Sequence, residues 1–449
     1  MGNLKVGFAR LVITPPLGIR ISGYYRERIA DGILDDLEAN AIAFSDGENT
    51  VVTISLDILH MQQKHMDEIR KKVASDNNIP YEAVFISCTH THTGPALFYD
   101  APGGIGSAYD KYLMQRISDA AKLAIQDLTP ATIGTAATEA KKVGFIRRFR
   151  MKSGKIRTNP GVGNPDILAP IGEADESVRL VRIKRENAPE ILIVNFQVHP
   201  DVIGGCRISA DYPRFVRETL EGALPGTKAV YFNGTCGDMN HVNVNANKVD
   251  MIGLENQFDD VARGYEHSKH MGRTIAGAVL SVYTKVEEQE CDKVCFGQLN
   301  LVHPSNRPDP SQIPLAEKYL ELHYAGRDDE IPFKGMELTT VVAEAARILR
   351  LKDGPDSFTL YLSGVRVGNI AFIGFPGEPF SAVGRMTRAR SPFNMTLTCC
   401  LTNGAEGYFP TQEAYDEGGY EARSSKFKPG VAEALAEASI ELLNKLKNA

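Results

Sequence analysis

Two histidines that lie one residue apart are the first candidates for chemistry in this chain. They are His90 and His92, in the stretch THTHTGP that follows the apolar run VFISC. In an extended segment, residues two apart point to the same side, so both imidazoles can converge on one point. This arrangement suits a metal site, or a metal ligand beside a proton relay. The Gly-Pro that follows predicts that the pair lies where a strand ends.

Further polar groups also lie at the ends of strand-like runs. His199 ends VNFQVHP, Glu378 lies in FPGEPF, and a Gly-rich segment carries Tyr408, Tyr415 and Tyr420. Because the ends of strands in one sheet commonly share a rim, several of these groups can converge on one ion. Two histidines, a carboxylate and one further oxygen suit zinc and leave room for a water molecule.

Each of these residues also has a purely structural interpretation. A histidine after a strand, such as His199, can be a hydrogen-bonded core residue, and Glu378 can be a carboxylate near a helix N-terminus. The loop NGTCGDMNH carries Asp238, Asn240 and His241, but a Gly-rich turn alone is weak evidence of a site. The case for function therefore depends on the recurrence of such groups after strands.

The elements that must position these residues alternate between strands and helices. Apolar runs such as TVVTISLD, EILIVNFQVH and KAVYFNG are typical of strands covered on both faces. Residues 358–375 predict an antiparallel hairpin that turns at Gly368-Asn369. We predict an α/β (mixed α+β) protein with covered mixed sheets, antiparallel elements and an active site in strand-end loops.

Amphipathic segments predict the helices, and neighbouring polar residues receive structural assignments. Asp211 is predicted to cap the helix from residue 212, and His267 and His270 are predicted to be surface residues. The stretches 302–312 and 324–335 are predicted to be loops. The predicted helices span residues 63–76, 109–127, 212–222, 256–286, 338–351, 379–390 and 430–446.

Composition excludes several classes of function. The chain has 449 residues and a formal net charge of −6, which gives no basic footprint for nucleic acid. No run of 18 apolar residues predicts a membrane span, and the N-terminus does not have the pattern of a signal peptide. Seven scattered cysteines without metal-finger spacing favour reduced thiols, so we predict a cytoplasmic protein.

At the level of ordered motifs, the chain resembles the neutral (non-lysosomal) ceramidase family, specifically its N-terminal catalytic domain. The matching stretches cover nearly the whole chain: VGFARLVITPP, GYYRERIADGILDDLEANAIAF, SLD, THTHTGP, VNFQVHP, RISADYPR, NGTCGDMN, FPGEPF and a final Tyr-x11-Tyr-Glu. THTHTGP is close to the family's Thr-His-Thr-His-Ser-Gly-Pro. The order and spacing of these motifs make the resemblance more specific than any one of them.

The resemblance implies a set of site residues. One catalytic zinc would be held by His90, His199, Glu378 and Tyr408. The ion would polarise an amide carbonyl and activate a water molecule. The residues implied beside the ion are His92 as an acid/base or orienting group, Tyr420 as a second tyrosine, and Arg147 or, as we predict, Arg148 from FIRRF.

Two departures from the family bear on the substrate. Asn240 stands where the family carries a serine proposed to act in catalysis, and we predict that it faces the substrate. The chain is predicted to form a single catalytic domain over residues 1–449, without the family's C-terminal β-sandwich. We therefore expect a zinc-dependent hydrolase that cleaves an amide (N-acyl) bond of a small polar or amphiphilic substrate.

Two alternatives remain open from the sequence. An amidohydrolase-type barrel could use the same histidine pair, with His199, His241 and Asp238 as further ligands, but would leave Glu378 and Tyr408 without roles. A zinc-containing binding protein without catalysis is the other alternative. A second, structural divalent ion is possible, and the sequence does not predict the oligomeric state.

Overall fold

A computed structural model describes residues 3–98, 105–247, 249–251 and 253–449. Many of the strands are only two or three residues long and pair one loop segment with another. Within these ranges the strands are β1 (Lys5–Val12), β2 (Gly32–Ile33), β3 (Glu38–Ser45), β4 (Thr50–Leu56), β5 (Val84–Cys88), β6 (Thr129–Glu139), β7 (Phe145–Ile146), β8 (Arg148–Met151), β9 (Ile156–Thr158), β10 (Ile167–Pro170), β11 (Ser177–Arg185), β12 (Glu190–Phe196), β13 (Arg207–Ile208), β14 (Thr227–Asn233), β15 (Met239–Asn240), β16 (Glu255–Asn256), β17 (Ala262–Arg263), β18 (Glu287–Gln289), β19 (Val294–Pro304), β20 (Ser357–Val367), β21 (Ile370–Gly374), β22 (Glu378–Pro379), β23 (Met395–Cys399) and β24 (Tyr408–Phe409).

The helices separate the longer strands and pack on the sheets. Short 3-10 turns precede β5, follow α4, precede α5 and lie between α5 and α6. The described α-helices are α1 (Gln63–Asn77), α2 (Ile105–Gln126), α3 (Tyr212–Ala223), α4 (Tyr265–Val282), α5 (Ile313–Tyr324), α6 (Gly335–Leu351), α7 (Ser381–Ala389), α8 (Gln412–Glu417), α9 (Tyr420–Ser424) and α10 (Val431–Asn448).

Two mixed sheets form the framework. The larger has the strand order β14-β12-β11-β6-β1-β3-β4-β5, with β18 paired to β6, and the smaller has the order β19-β20-β21-β23. Most neighbours are antiparallel, whereas β4/β5, β12/β14 and β21/β23 are parallel. The structure thus confirms the predicted mixed α/β class, and the described strands do not form the eight-stranded parallel barrel that the amidohydrolase alternative requires.

The alternating side chains of β3 show why the large sheet is covered on both faces. Ile42 and Phe44 pack toward the smaller sheet, in a core shared with Phe372 of β21. Ala41 and Ala43 face the opposite side and pack with α1 and α2. Because both faces are buried, such strands are apolar at nearly every position.

Helices complete the layers outside the two sheets. Helices α3 and α4 cover the β11, β12 and β14 part of the large sheet. On the far face of the smaller sheet, α10 packs Leu435, Leu442 and Leu443 against β20 and β21. Helices α5 and α6 pack on each other around a separate apolar cluster that includes Leu320 and Ile348.

The segment 400–403, which follows β23, joins the two terminal strands of the large sheet. The amide of Cys400 donates to the carbonyl of Asn233 at the end of β14, at 3.0 Å. Thr402 forms an antiparallel bridge with Ser87 of β5. The ends of β5 and β14 are therefore held near each other, on the side where the candidate ligands lie.

The predicted elements differ from the structure in a few places. The hairpin at residues 358–375 is confirmed, with Gly368 at a φ of 58° in its turn. Helix α4 begins at Tyr265 rather than at residue 256, because residues 255–263 pair as β16 and β17. Helix α5 was not predicted. Across the described ranges, no helix combines the length and apolar character needed to cross a bilayer.

Candidate metal centre and its surroundings

His90 lies in a turn just beyond β5 and not on the strand itself. Its φ of 78° places it in the left-handed region, which is uncommon for a residue other than glycine. Its Nδ1 lies 3.0 Å from the carbonyl oxygen of Leu59, so it is placed to donate there and leave Nε2 free. The Nε2 atoms of His90 and His92 are 3.4 Å apart. The predicted convergence therefore holds, but a sharp turn produces it.

His199 follows β12 and has the same kind of support. Its Nδ1 lies 2.7 Å from the carbonyl oxygen of Cys236 and 3.1 Å from that of Met239. Its own amide donates to the Met239 carbonyl at 3.2 Å. This loop therefore orients the buried ring so that Nε2 faces the same centre as His90.

Glu378 and Tyr408 come from beyond the smaller sheet. They are opposite each other in the two-residue parallel pairing of β22 with β24. An Oε2 of Glu378 lies 3.2 Å from Nε2 of His90 and 3.0 Å from Nε2 of His199. The Tyr408 hydroxyl is 3.3 Å from the same His199 nitrogen. The ligands thus come from both sheets and not from one rim.

The spacing of these atoms fits a metal ion. Donors about 2.0–2.1 Å from a tetrahedral zinc lie about 3.3 Å from one another. The distances of 3.0–3.3 Å from the histidine nitrogens to Glu378 and Tyr408 fall near that value. The potential ligand atoms of His90, His92 and His199 also lie within 4.8 Å of one another. These residues can therefore hold a metal ion, with His92 as a further potential ligand.

The charges around this centre keep the Glu378 carboxylate ionised, so that an anionic acceptor lies beside the two histidines. Burial would raise the pKa of Glu378, but His90 and His199 outweigh it and hold that pKa well below its usual range. Burial and the Glu378 charge raise the pKa of Tyr408 well above its ordinary value, against the effect of Arg147. A cation bound here would oppose the rise at Tyr408 and favour its ionised form.

The two adjacent arginines lie in different surroundings. Arg147 hydrogen-bonds the Tyr408 side chain, and its Nε lies 2.7 Å from the carboxylate of the fully buried Glu421. Arg148 begins β8 and donates to Glu417 at 3.2 Å and to the Gly418 carbonyl at 3.0 Å. The structure therefore brings Arg147 to the candidate ligands, whereas Arg148, the residue predicted from the sequence, braces the loop before α9.

Tyr420 lies at the first position of α9, behind Tyr408. The two rings are 5.5 Å apart in an edge-to-face arrangement. The side chain of Tyr420 also hydrogen-bonds that of Tyr25, which is 43% exposed. Tyr420 therefore connects the metal-facing tyrosine to a residue that reaches solvent.

Asn240 is held by structural hydrogen bonds. It lies in β15, paired with Phe145 of β7. Its side-chain amide donates to Asn159 at 2.6 Å, and its side-chain oxygen accepts from the amide of Val242 at 3.0 Å. In the described structure both polar ends of this buried side chain are thus engaged with the protein.

Comparison with solved structures identifies the fold. No protein-family model matches the sequence. A neutral ceramidase from Pseudomonas aeruginosa superposes with a TM-score of 0.73 at 15% sequence identity, over 99% of this chain and 74% of that one. A ceramidase complexed with C2 gives 0.72 and 15%, over 99% of this chain and 75% of that one. This chain has the neutral ceramidase fold.

Sequence reasoning missed some residues of this ceramidase-fold site. Asp201 lies two residues after His199, and Glu421 directly follows Tyr420, so proximity to a candidate was the available signal for both. His60 is a further such residue, because it is close enough to His90 for the two to interact electrostatically. Burial first, and then His90, lowers the pKa of His60 to about 4. Asp211 caps α3 as predicted, accepting from the amide of Tyr212.

Proposed function

We propose that this protein is a metal-dependent hydrolase that cleaves amide bonds, with zinc as its metal. The observation that supports this most directly is the meeting of His90, His199, Glu378 and Tyr408 at ligand spacing. The similar solved structures are named ceramidases, enzymes whose name implies cleavage of an amide, and this supports the reaction class. Oxygen and nitrogen donors of this kind suit zinc.

The metal, when bound, would polarise the amide carbonyl and lower the pKa of a water molecule. The chain's own residues supply the rest. Nε2 of His92 lies beside the ligand His90 and can accept a proton from the attacking water and return it to the leaving nitrogen. Arg147, fixed by Glu421 and by the Gly237 carbonyl, can donate to the oxyanion that develops on the substrate.

We propose direct attack by water, without an acyl-enzyme intermediate. Asn240 offers no hydroxyl, and its side chain is already engaged by Asn159 and Val242. An amide side chain is also a poor nucleophile. A substrate that is smaller and more polar than ceramide follows from our sequence prediction. One catalytic domain, a cytoplasmic location and small-molecule partners without nucleic acid likewise stay predictions.

Turnover by the metal-loaded full chain tests the proposal. Protein stripped of metal and reloaded with zinc should release amine from at least one member of a panel of N-acyl amino acids, N-acyl amino sugars and short-chain ceramides. His199→Ala should abolish that release. Metal analysis of the same samples would give the stoichiometry and show whether a second, structural ion binds.

The same panel distinguishes the remaining alternative. Tight binding of panel members by the zinc-loaded protein, with no cleavage of any amide or ester, would favour a non-catalytic binding protein. Turnover that persists at the wild-type rate after metal removal would contradict metal dependence. Ester cleavage without amide cleavage would contradict the proposed bond class while leaving the metal centre intact.

A further inference from the structure

Asp201 is a largely buried carboxylate beside the candidate metal centre. One of its oxygens, Oδ1, accepts from the hydroxyl of Tyr24 at 2.7 Å and from Nε of Arg263 at 2.8 Å. The other, Oδ2, accepts from Nη2 of Arg263 at 2.6 Å. Asp201 is therefore a fixed anion.

His92 lies against this anion with one nitrogen unused. Its Nδ1 is 3.6 Å from Oδ1 of Asp201, and this buried nitrogen has no hydrogen-bond partner among the described residues. A shift of well under 1 Å would complete a hydrogen bond. Such bonds are often long before substrate binds. The other nitrogen of the ring, Nε2, faces His90.

The backbone around this pair restricts the ring to this orientation. The amide of His92 donates to the carbonyl of Pro200 at 3.1 Å, which joins the two loops next to Asp201. On the other side, a Cβ atom at Gly23 would lie 2.9 Å from Nδ1 of His92. Gly23 has a φ of 115°, so glycine suits this position on both counts. The ring is thus enclosed by backbone and by a carboxylate.

We infer that Asp201 is a positioning residue that acts through His92. Its carboxylate accepts Nδ1–H, which sets the tautomer and leaves the lone pair of Nε2 directed toward the reacting atoms. The role of His92 in proton transfer rests on the proposed function. The Asp201–His92 geometry does not, and it can be tested without turnover.

Asp259 provides a matched control. It forms a bidentate pair with the same guanidinium, at 2.7 and 2.8 Å to Arg263, and it is also buried. Among the described contacts, Asp259 has none with His92. Asp201→Asn and Asp259→Asn therefore remove equivalent charges from Arg263, but only the first removes the acceptor that faces His92.

In the zinc-loaded full chain, Asp201→Asn should lower kcat by about 10- to 100-fold with KM nearly unchanged. Asp259→Asn should change kcat by less than about threefold, since it makes no contact with His92. Zinc content should be equal in the wild type and both variants. In a His92→Ala background, Asp201→Asn should cause no further loss, because the residue it acts through is gone.

A second readout needs no activity. In protein labelled with ¹⁵N-histidine, the imidazole spectrum should show His92 as the Nδ1–H tautomer in the wild type and in Asp259→Asn. Asp201→Asn should shift it toward Nε2–H. An unchanged tautomer, equal kcat losses in the two variants, an undiminished loss in the His92→Ala background, or zinc loss on Asp201→Asn would each overturn the inference. Absence of turnover in the wild type would contradict the proposed function alone, and the tautomer measurement would still decide the role of Asp201.

Discussion

Among the residues that the structure describes, there are two groups of three histidines, and only one of them has the geometry of a metal site. In the first, the nitrogens of His90, His92 and His199 lie within 4.8 Å of one another. In the second, His241, His267 and His270 form a chain in which successive ring centroids are 5.8 Å apart. Across the described residues, the second group does not reach the 4.8 Å convergence of the first.

The two groups differ in which ring nitrogen is directed to a backbone carbonyl. His90 and His199 each direct Nδ1 to a backbone carbonyl and present Nε2 to the shared centre. His241 instead directs Nε2 to the carbonyl of Ala262 at 2.6 Å. His267 and His270 are on helix α4, where i,i+3 spacing places rings side by side along one face. Clustering alone is thus a poor sign of metal binding, whereas nitrogens converging in front of carbonyl acceptors are a good one.

Removing a ligand from the first group should have the largest effect. His90→Ala and Glu378→Ala should each lower zinc affinity by about 100-fold or more and abolish turnover, because each deletes a converging donor. His267→Ala should keep full zinc content. Metal analysis after dialysis against a weak chelator provides the measurement. Equal zinc content in all three variants would remove the distinction between the two groups.

A second comparison concerns the adjacent arginines, of which Arg147 contacts the candidate ligand Tyr408 and Arg148 contacts Glu417. Arg147→Lys should lower kcat by about 100-fold, because lysine keeps the charge but loses the planar contacts to Glu421 and Gly237. Arg148→Lys should lower it by no more than a few-fold. Steady-state kinetics of the zinc-loaded variants would decide, and a larger loss at Arg148 would restore the residue predicted from the sequence.

His241 should show its structural role in the pH dependence of stability. Burial lowers its pKa to about 4, so the unfolded chain takes up this proton first as pH falls. The free energy of unfolding should therefore fall between pH 6.5 and pH 4, by roughly 3 kcal/mol from this one group.

Denaturant titrations at several pH values of wild type and His241→Gln measure that contribution. The variant should show the shallower decline, and the difference in pH dependence should vanish above pH 7. Equal slopes in both proteins would contradict a buried neutral His241. A slope that changes on adding one further equivalent of zinc would show that the second group does bind metal.

Asn240 should give the smallest effect on rate. Asn240→Ser removes the hydrogen bond to Asn159 and should cost about 1 kcal/mol of unfolding free energy. Because the side chain is held within the protein, kcat should change by less than about threefold. A large gain in hydrolysis of ceramide by this variant would show instead that position 240 faces substrate.

Much of the framework could be predicted because burial leaves a clear pattern. Strands covered on both faces are apolar throughout, and the hairpin at Gly368-Asn369 has the residues that its turn requires. Helix α4 was predicted to begin too early, since the two-residue pairing of β16 with β17 leaves no periodic signal. Helix α5 was missed because residues 302–312, just before it, have the composition of a loop.

Within the site, the types of the residues were easier to predict than the orientations and contacts of their side chains. The His90 turn, with a positive φ, replaces the extended geometry expected from the motif, and no local pattern indicates it. Arg147 and Arg148 are chemically identical, so only the tertiary contacts of β7 and β8 distinguish them. Asp201 acquires its surroundings from Tyr24 and Arg263, which are far from it in sequence.

The pairing of Glu378 with Tyr408 has a consequence for the order of events during synthesis. A nascent chain that has emerged as far as residue 377 already contains both histidine ligands, but it lacks both oxygen donors. Those donors become neighbours only after Tyr408 has emerged and β24 has paired with β22. Tight capture of the ion is thereby postponed until Tyr408 has emerged, so a shorter nascent chain gains little from the metal.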